Sequence, residues 1–277
     1  MKIARVFPRI TNATPLDDYT FFDVPGMFLP EIDEVHISVA FTYDLPKAEI
    51  LAKHWEQVAP VKIGGPALNE PGGEFEPGRY LKPGYVITSR GCPNKCWFCS
   101  VWRREGSEIR ELEVKEGNNI LDDNLLACSD QHIKEVVAML KKQKYGRVMF
   151  TGGLEAAQLK DWHVEQLRKL HPKEIFFAYD TPDDYEPLIE AGKKLLDAGF
   201  TTTSHALRAY VLIGYPQDTF EKAEARLKET IKAGFFPMAM LYRDQKGEVS
   251  NEWVTFQGLW ANPFIVGTSI KKGAVEK

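Results

Sequence analysis

Hydrophobic positions follow two periods along the chain. Short apolar runs are typical of buried parallel strands, whereas stretches with apolar residues every three or four positions are typical of amphipathic helices. After residue 80 the two patterns alternate and predict six strands, over residues 84–88, 119–122, 147–151, 174–179, 208–213 and 236–241. Helices are predicted in the gaps, over residues 129–143, 156–170, 184–198 and 218–233, with Ser129 as an N-cap.

Repeated strand–helix units build a parallel sheet with right-handed crossovers. Six units are too few for the closed eight-stranded barrel, so we expect an α/β fold with a partial (β/α)6 TIM-like barrel. The functional face of such a barrel lies at the carboxyl ends of the strands, where the loops converge.

The segment before the barrel has its own pattern. Residues 36–41 and 61–63 read as strands and residues 47–58 as a helix, which makes a small βαβ extension, and residues 69–83 are rich in Gly and Pro. We therefore expect the extension and linker over 1–80, the barrel core over 81–245 and a tail over 246–277 that packs on the barrel. The tail is rich in aromatic residues: Trp253, Phe256, Trp260 and Phe264.

Composition and charge exclude several classes of protein. With 44% hydrophobic and 27% charged residues, the chain of 277 residues has ordinary globular composition. The net charge is -4 and the basic residues are interleaved with acidic ones, which does not favour a nucleic-acid surface. The N-terminus has no apolar signal core, and no apolar run reaches about 18 residues, so we expect no membrane span and a cytoplasmic location.

Three of the four cysteines, Cys92, Cys96 and Cys99, directly follow the first barrel strand. This C-x3-C-x2-C spacing places three thiolates on one loop, enough for three of the four irons of a cubane, and leaves one iron open to bind something else. Structural zinc would need a fourth ligand, which Cys128 could supply only if the fold returned it to the loop. A noncatalytic zinc or iron–sulfur binding module is therefore the alternative to an enzyme.

The cysteine loop, with Phe98 just before its last cysteine, resembles the signature of the radical S-adenosylmethionine (SAM) superfamily, and the resemblance covers about residues 81–244. It implies an oxygen-sensitive enzyme that carries a [4Fe-4S] cluster on Cys92, Cys96 and Cys99 and chelates SAM at the fourth iron. In this family one electron cleaves SAM to methionine and a 5′-deoxyadenosyl radical, which abstracts hydrogen from the substrate. The expected partners are a small-molecule or modified-nucleobase substrate and reduced flavodoxin or ferredoxin as electron donor. A lyase or isomerase outcome stays open.

The third strand ends in a segment, Gly152-Gly153-Leu154-Glu155, that resembles the family's GGxE motif for the SAM amino group. Two glycines let the backbone approach a ligand, and a carboxylate can pair with an ammonium group. Alone, a Gly-Gly pair after a strand is a routine turn. Its place two strands after the cysteine loop favours the SAM interpretation.

The same resemblance suggests further SAM contacts. Phe98 belongs to the motif, Asp180 follows the fourth strand where the family contacts ribose, and Ile213 and Gly214 end the strand that cradles adenine. The alternatives are a turn or helix cap for Asp180 and a simple buried strand for Ile213.

Two acidic residues at strand ends are candidate catalytic residues. Asp122 follows the second strand beside Asp123, and Asp244 follows the sixth. Because successive strand residues face opposite ways, one residue of the Asp122–Asp123 pair is expected to be structural. Asp244 could equally be a turn residue.

A βαβ unit before such a barrel resembles the B12-binding subgroup of the family. The chain has no D-x-H-x-x-G motif for a cobalt-ligating histidine, and about 80 residues are too few for a full doubly wound domain. We expect no cobalamin, and a segment that caps or extends the barrel.

Overall fold

The computed structural model describes residues 1–244, 246–261 and 266–267. Its first sheet has four parallel strands in the order β2-β1-β3-β4: β1 (Ile3–Val6), β2 (Thr20–Phe21), β3 (Glu34–Ser38) and β4 (Val61–Gly64). Helix α1 (Leu45–Trp55) connects β3 to β4. The predicted βαβ unit is thus β3-α1-β4, and β1 and β2 add to it two strands that the sequence pattern did not predict.

The two faces of this sheet differ. Ala4, Val6 and Ile37 are buried in a core with Leu51 and Trp55 of α1. This follows from the alternation of side chains along β-strands.

The opposite face of the first sheet is polar and is covered by the linker. The Arg5 guanidinium donates to the carbonyl oxygens of Gly78 and Arg79, at 3.0 and 2.8 Å. His36 Nδ1 lies 2.5 Å from the Tyr80 hydroxyl. The linker therefore closes the face on which a doubly wound sheet would carry a second layer of helices.

The second sheet has six strands: β5 (Tyr85–Val86), β8 (Asn119–Ile120), β9 (Met149–Leu154), β10 (Glu174–Tyr179), β11 (Leu207–Ile213) and β12 (Phe236–Leu241). They lie in chain order and every neighbouring pair is parallel. Within the described residues β5 and β12 pair with no other strand on their outer sides, so the sheet is open. The expected α/β fold with a partial barrel of six strands is confirmed.

Four crossover helices cover this sheet: α3 (Asp130–Lys142), α4 (Asp161–Leu170), α5 (Tyr185–Asp197) and α6 (Phe220–Lys232). Ser129 Oγ accepts a 3.2 Å hydrogen bond from His132 N, which confirms it as the N-cap of α3. The main core lies between sheet and helices and includes Phe177, Val211 and Leu195.

The cysteine segment interrupts the first crossover. Strands β6 (Ser89–Arg90) and β7 (Arg110–Glu111) pair antiparallel, and the short helix α2 (Val101–Arg104) lies between them. Near the C-terminus, α7 (Asn251–Trp260) contacts β12 through a 2.9 Å hydrogen bond from Gln257 Nε2 to Ala239 O. Phe264 lies outside the described residues.

Candidate functional site

The cysteine loop leaves β6 at the carboxyl end of the first barrel strand. Cys92 N donates to Gly106 O at 3.3 Å, which closes the base of the loop. Gly91 has φ +91°, and a Cβ there would lie 2.2 Å from Glu108 O. Only glycine fits at this position, because a side chain would meet both an unfavourable backbone conformation and a neighbouring carbonyl.

Two of the three thiols, Cys96 and Cys99, lie in a setting that disfavours their charged form. Burial first, and then the neighbouring Cys99 and Cys92, raise the pKa of Cys96 to about 11. Burial also raises the pKa of Cys99, although Val101 N donates to its sulfur at 3.4 Å. Thiolates crowded in this way need a cation to compensate their charge, so the donor set fits a metal group.

The spacing of the sulfurs argues against one zinc ion. A single zinc binds thiolates at about 2.3 Å, which brings its sulfurs within about 4 Å of one another. The sulfurs of Cys92, Cys96 and Cys99 do not all lie within 4.8 Å of each other. A cubane, which binds each thiolate on a separate iron, fits the wider spacing.

Cys128 does not return to the cysteine loop. It is buried, and burial raises the pKa of its thiol to about 12. Its sulfur, an Asp122 oxygen and a His132 nitrogen lie within 4.8 Å of one another, as the one such group among the described residues. Asp122 already accepts hydrogen bonds here, and His132 Nε2 lies 3.2 Å from Thr88 Oγ1. We interpret this group as a satisfied polar network inside the core.

The prediction of Asp122 as a catalytic residue does not fit its position. Its side chain is 1% exposed, and its carboxylate accepts from Thr88 N at 2.6 Å, Thr88 Oγ1 at 2.5 Å and Ser89 Oγ at 2.8 Å. These bonds use both oxygens and leave no surface for a substrate. Asp123 also faces the loop, since its Oδ2 accepts from Gly91 N at 2.9 Å. Both carboxylates therefore anchor the chain that enters the cysteine loop.

Asn124, the residue after Asp123, also contacts the cysteine loop, and the sequence pattern did not predict it as a site residue. Its Nδ2 donates to the Cys92 sulfur at 3.6 Å and to Glu155 Oε2 at 2.6 Å. Glu155 of the Gly-Gly segment is thereby brought to the cysteine loop. The sequence feature that indicates Asn124 is the polar run Asp122-Asp123-Asn124 after the second strand, because all three residues lie at the same strand end.

The two glycines of the Gly-Gly segment lie where β9 passes β8. A Cβ on Gly152 would lie 2.4 Å from Asp122 O, and Gly153 has φ +93°. The segment can therefore approach the end of β8 only because side chains are absent. This close approach puts Glu155 within reach of Asn124.

Asp180 lies near the cysteine loop. Burial and the charge of Asp184 raise the pKa of Asp180 to about 7. The charges of Asp180 and Asp184 in turn contribute to the raised pKa of Cys96. Asp184 Oδ2 accepts from the backbone N–H groups of Asp180 and Thr181, at 3.0 and 2.7 Å, so the capping role belongs to Asp184.

The two residues predicted to contact adenine, Ile213 and Gly214, differ in their exposure to solvent. Ile213 has no exposed surface and its side chain packs in the main core, so a contact between this residue and adenine would have to involve its backbone. Gly214 is partly exposed at the strand end, and its N–H donates to Asp218 Oδ2 at 2.8 Å.

The prediction of Asp244 as a catalytic residue does not fit either. Asp244 is exposed, and its Oδ1 accepts from Lys246 N at 2.9 Å and from Glu248 N at 3.1 Å. These bonds close a tight turn after β12. A carboxylate committed to its own turn is typical of an Asx motif.

An aromatic cluster lies beside the cysteines and was also missed by the sequence analysis. Trp97, 51% exposed, has ring centroids 5.4 Å from Phe98, 5.6 Å from Tyr215 and 5.7 Å from Tyr242. Tyr215 and Tyr242 follow β11 and β12, so the cluster joins the cysteine loop to the far side of the sheet. The cysteine loop and the segments after two strands build it, and these are far apart in sequence, which explains why no local motif revealed it.

Comparisons with known proteins identify the family and a structure with a similar fold. Residues 86–243, more than half of the chain, match the family described as the Radical SAM superfamily. The structure is similar to that of the radical S-adenosylmethionine methyltransferase TsrM from Kitasatospora setae, with cobalamin and a [4Fe-4S] cluster bound. The TM-score is 0.63 at 11% identity, and the match covers 89% of this chain and 77% of that one. No curated protein sequence matches the chain.

Among the residues that the structure describes, none of the helices combines the length and the apolar character needed to span a bilayer.

Proposed function

The chain belongs to the radical SAM superfamily, and we propose that Cys92, Cys96 and Cys99 ligate three irons of its [4Fe-4S] cluster while Glu155 binds the SAM ammonium group. It is an enzyme that uses this cluster and SAM, and it needs a reductant and a substrate. When bound, the two groups supply a 5′-deoxyadenosyl radical that abstracts hydrogen from the substrate.

The observation that carries this assignment is the link from Cys92 through Asn124 to Glu155, at 3.6 and 2.6 Å. It holds a candidate ammonium ligand next to a candidate cluster ligand, although Asn124 and Glu155 are 31 residues apart in sequence. Two glycines and a carboxylate at this place have a use in SAM binding and none in a zinc module. Gly153, Asp180 and Gly214 complete the proposed SAM site.

The substrate site is proposed beside the aromatic cluster of Trp97, Phe98, Tyr215 and Tyr242. An exposed indole next to two cluster ligands offers a flat apolar face close to the reacting centre. This supports a ring-bearing small molecule or a modified nucleobase as the substrate. Reduced flavodoxin or ferredoxin is the proposed electron donor.

We also propose that the chain takes no cobalamin, unlike its structural neighbour. Among the described residues one α-helix, α1, covers the first sheet, and the linker closes the polar face through its contacts with Arg5 and His36. A full doubly wound domain carries helices on both faces of its sheet. Reconstitution with added cobalamin, followed by gel filtration and absorbance of the protein fraction, tests this, and co-eluting corrinoid would overturn it.

The central test is anaerobic reconstitution with iron and sulfide, reduction with dithionite and assay of 5′-deoxyadenosine from SAM. Wild type is compared with Cys96→Ala and with the matched control Cys128→Ala, which removes a buried thiol away from the loop. We expect about four irons and 5′-deoxyadenosine from wild type and from Cys128→Ala, and neither from Cys96→Ala. One bound zinc with intact SAM in wild type would instead establish a binding module.

A further inference from the structure

Asn124 lies in the centre of the proposed site, between Glu155 and Cys92. Its side chain is buried, with 3% of its surface exposed. The amide nitrogen has two hydrogens and two acceptors, Glu155 Oε2 at 2.6 Å and Cys92 Sγ at 3.6 Å. Both donor positions of the amide are therefore used.

The amide oxygen is different. Asn124 Oδ1 is buried and has no hydrogen-bond partner among the described residues. Buried polar atoms are almost always paired, so an unpaired acceptor next to a binding site indicates a ligand group. The amide cannot simply be turned over, because Oδ1 would then face the Glu155 carboxylate.

We propose that Asn124 Oδ1 accepts a hydrogen bond from the ammonium group of SAM while its Nδ2 positions Glu155 and Cys92. The proposal rests on the proposed function. An ammonium group has three N–H donors and can bind the Glu155 carboxylate and Oδ1 together. Asn124 thereby joins the ammonium site to the Cys92 corner of the cluster.

The bond to Cys92 has a second consequence. Hydrogen bonds to cluster sulfurs are among the features that set the reduction potential of an iron–sulfur cluster. Loss of the N–H donor leaves more negative charge on the sulfur, so reduction becomes harder. Asn124 is thus expected to affect both SAM binding and the potential.

The experiment measures SAM binding by the change in the EPR spectrum of the reduced cluster. Asn124→Ala is compared with wild type and with Asn118→Ala, a matched control at the other end of β8 whose amide donates to Arg147 O at 2.9 Å. Each protein is titrated with SAM and with an analogue in which hydrogen replaces the ammonium group. We expect Asn124→Ala to weaken SAM binding roughly tenfold or more and analogue binding less than about twofold. Asn118→Ala should bind both ligands like wild type.

Equal weakening for the two ligands, or none for SAM, overturns the ammonium role. Asn124→Leu covers the case in which Asn124→Ala fails to hold the cluster, because it keeps the approximate size of the side chain, removes the N–H donors and adds no charge that would itself shift the potential. We expect its cluster potential to be more negative than that of wild type, and an unchanged potential overturns the link to Cys92.

The proposed function and the proposed role of Asn124 fail on different results. If wild type takes up no cluster, or if SAM does not change the EPR spectrum of wild type, the proposed function fails. If wild type does both and Asn124→Ala binds SAM as tightly as wild type, only the role of Asn124 fails.

Discussion

Glu105 accepts a 3.0 Å hydrogen bond from the backbone N–H of Gly72, which ties the linker to the segment after the cysteine loop. Three guanidinium groups share the same carboxylate: Arg104 at 2.9 Å, Arg110 at 2.6 Å and Arg90 at 3.5 Å. The Glu105 side chain is 1% exposed. One buried carboxylate therefore holds together both sides of the cysteine loop and the linker.

Replacing Glu105 by Ala should leave three arginines without their shared partner. We expect the free energy of unfolding of the metal-free protein to fall by about 3–5 kcal/mol, as for other broken buried ion pairs, and iron uptake to fall with it. Urea unfolding and iron analysis measure the two effects. Glu113→Ala is the control, since Glu113 is exposed and pairs with Lys115. Similar losses in the two variants would contradict the role of Glu105.

Gly91→Ala should prevent the cysteine loop from closing. Gly91 and Gly106 have similar positive φ values, +91° and +90°, but only a Cβ on Gly91 meets a backbone atom, at 2.2 Å. Comparing Gly91→Ala with Gly106→Ala therefore separates the clash from the backbone strain. We expect Gly91→Ala to lose most bound iron and Gly106→Ala to keep it, as measured by iron content after reconstitution. Equal iron in both variants would refute this account.

Asp122 and Asp244 should behave as structural residues of unequal importance. Asp122→Ala leaves three buried donors of Thr88 and Ser89 unpaired and should lower the free energy of unfolding by about 3 kcal/mol or more. Asp244→Ala removes the hydrogen-bond acceptor of an exposed turn and should leave 5′-deoxyadenosine formation within about twofold of wild type. A large loss of that product in a stable Asp244→Ala protein would restore Asp244 as a catalytic candidate.

His163 should make stability depend on pH. Its side chain is buried, its Nδ1 accepts from Lys160 N at 3.1 Å, and burial lowers its pKa from 6.5 to about 4. Between these values the unfolded chain binds one proton more than the folded chain, so stability is lost as the pH falls from about 6.5 to about 4. The slope from this group is at most about 1.4 kcal/mol per pH unit.

The check on His163 is urea unfolding of the metal-free protein at pH 7 and pH 5. We expect the loss of stability between the two to be smaller in His163→Gln than in wild type. The control His54→Gln, at an exposed position, should lose as much as wild type. Parallel curves for wild type and His163→Gln would show that burial of this imidazole has no such effect.

The sequence determined the elements of the barrel because their signals are local. Apolar runs and helical periods predicted all six strands of the second sheet, and a C-x3-C-x2-C loop needs no distant residue to be recognised as a cluster loop. Boundaries were less exact: the strand predicted over 84–88 is Tyr85–Val86, because Thr88 and Ser89 turn toward Asp122. Strands β1 and β2 were missed, since runs as short as Thr20–Phe21 have no periodicity to detect.

The tertiary structure decided which polar side chains serve the site. Asp122, Asp123 and Asn124 are adjacent and equally polar in sequence, yet they bind Thr88, Gly91 and Cys92 respectively. Ile213 and Gly214 are likewise neighbours, with one in the core and the other at the surface. The physical reason is that a side chain's role depends on what lies across the space it faces, and those partners come from strands that only the packed sheet brings together.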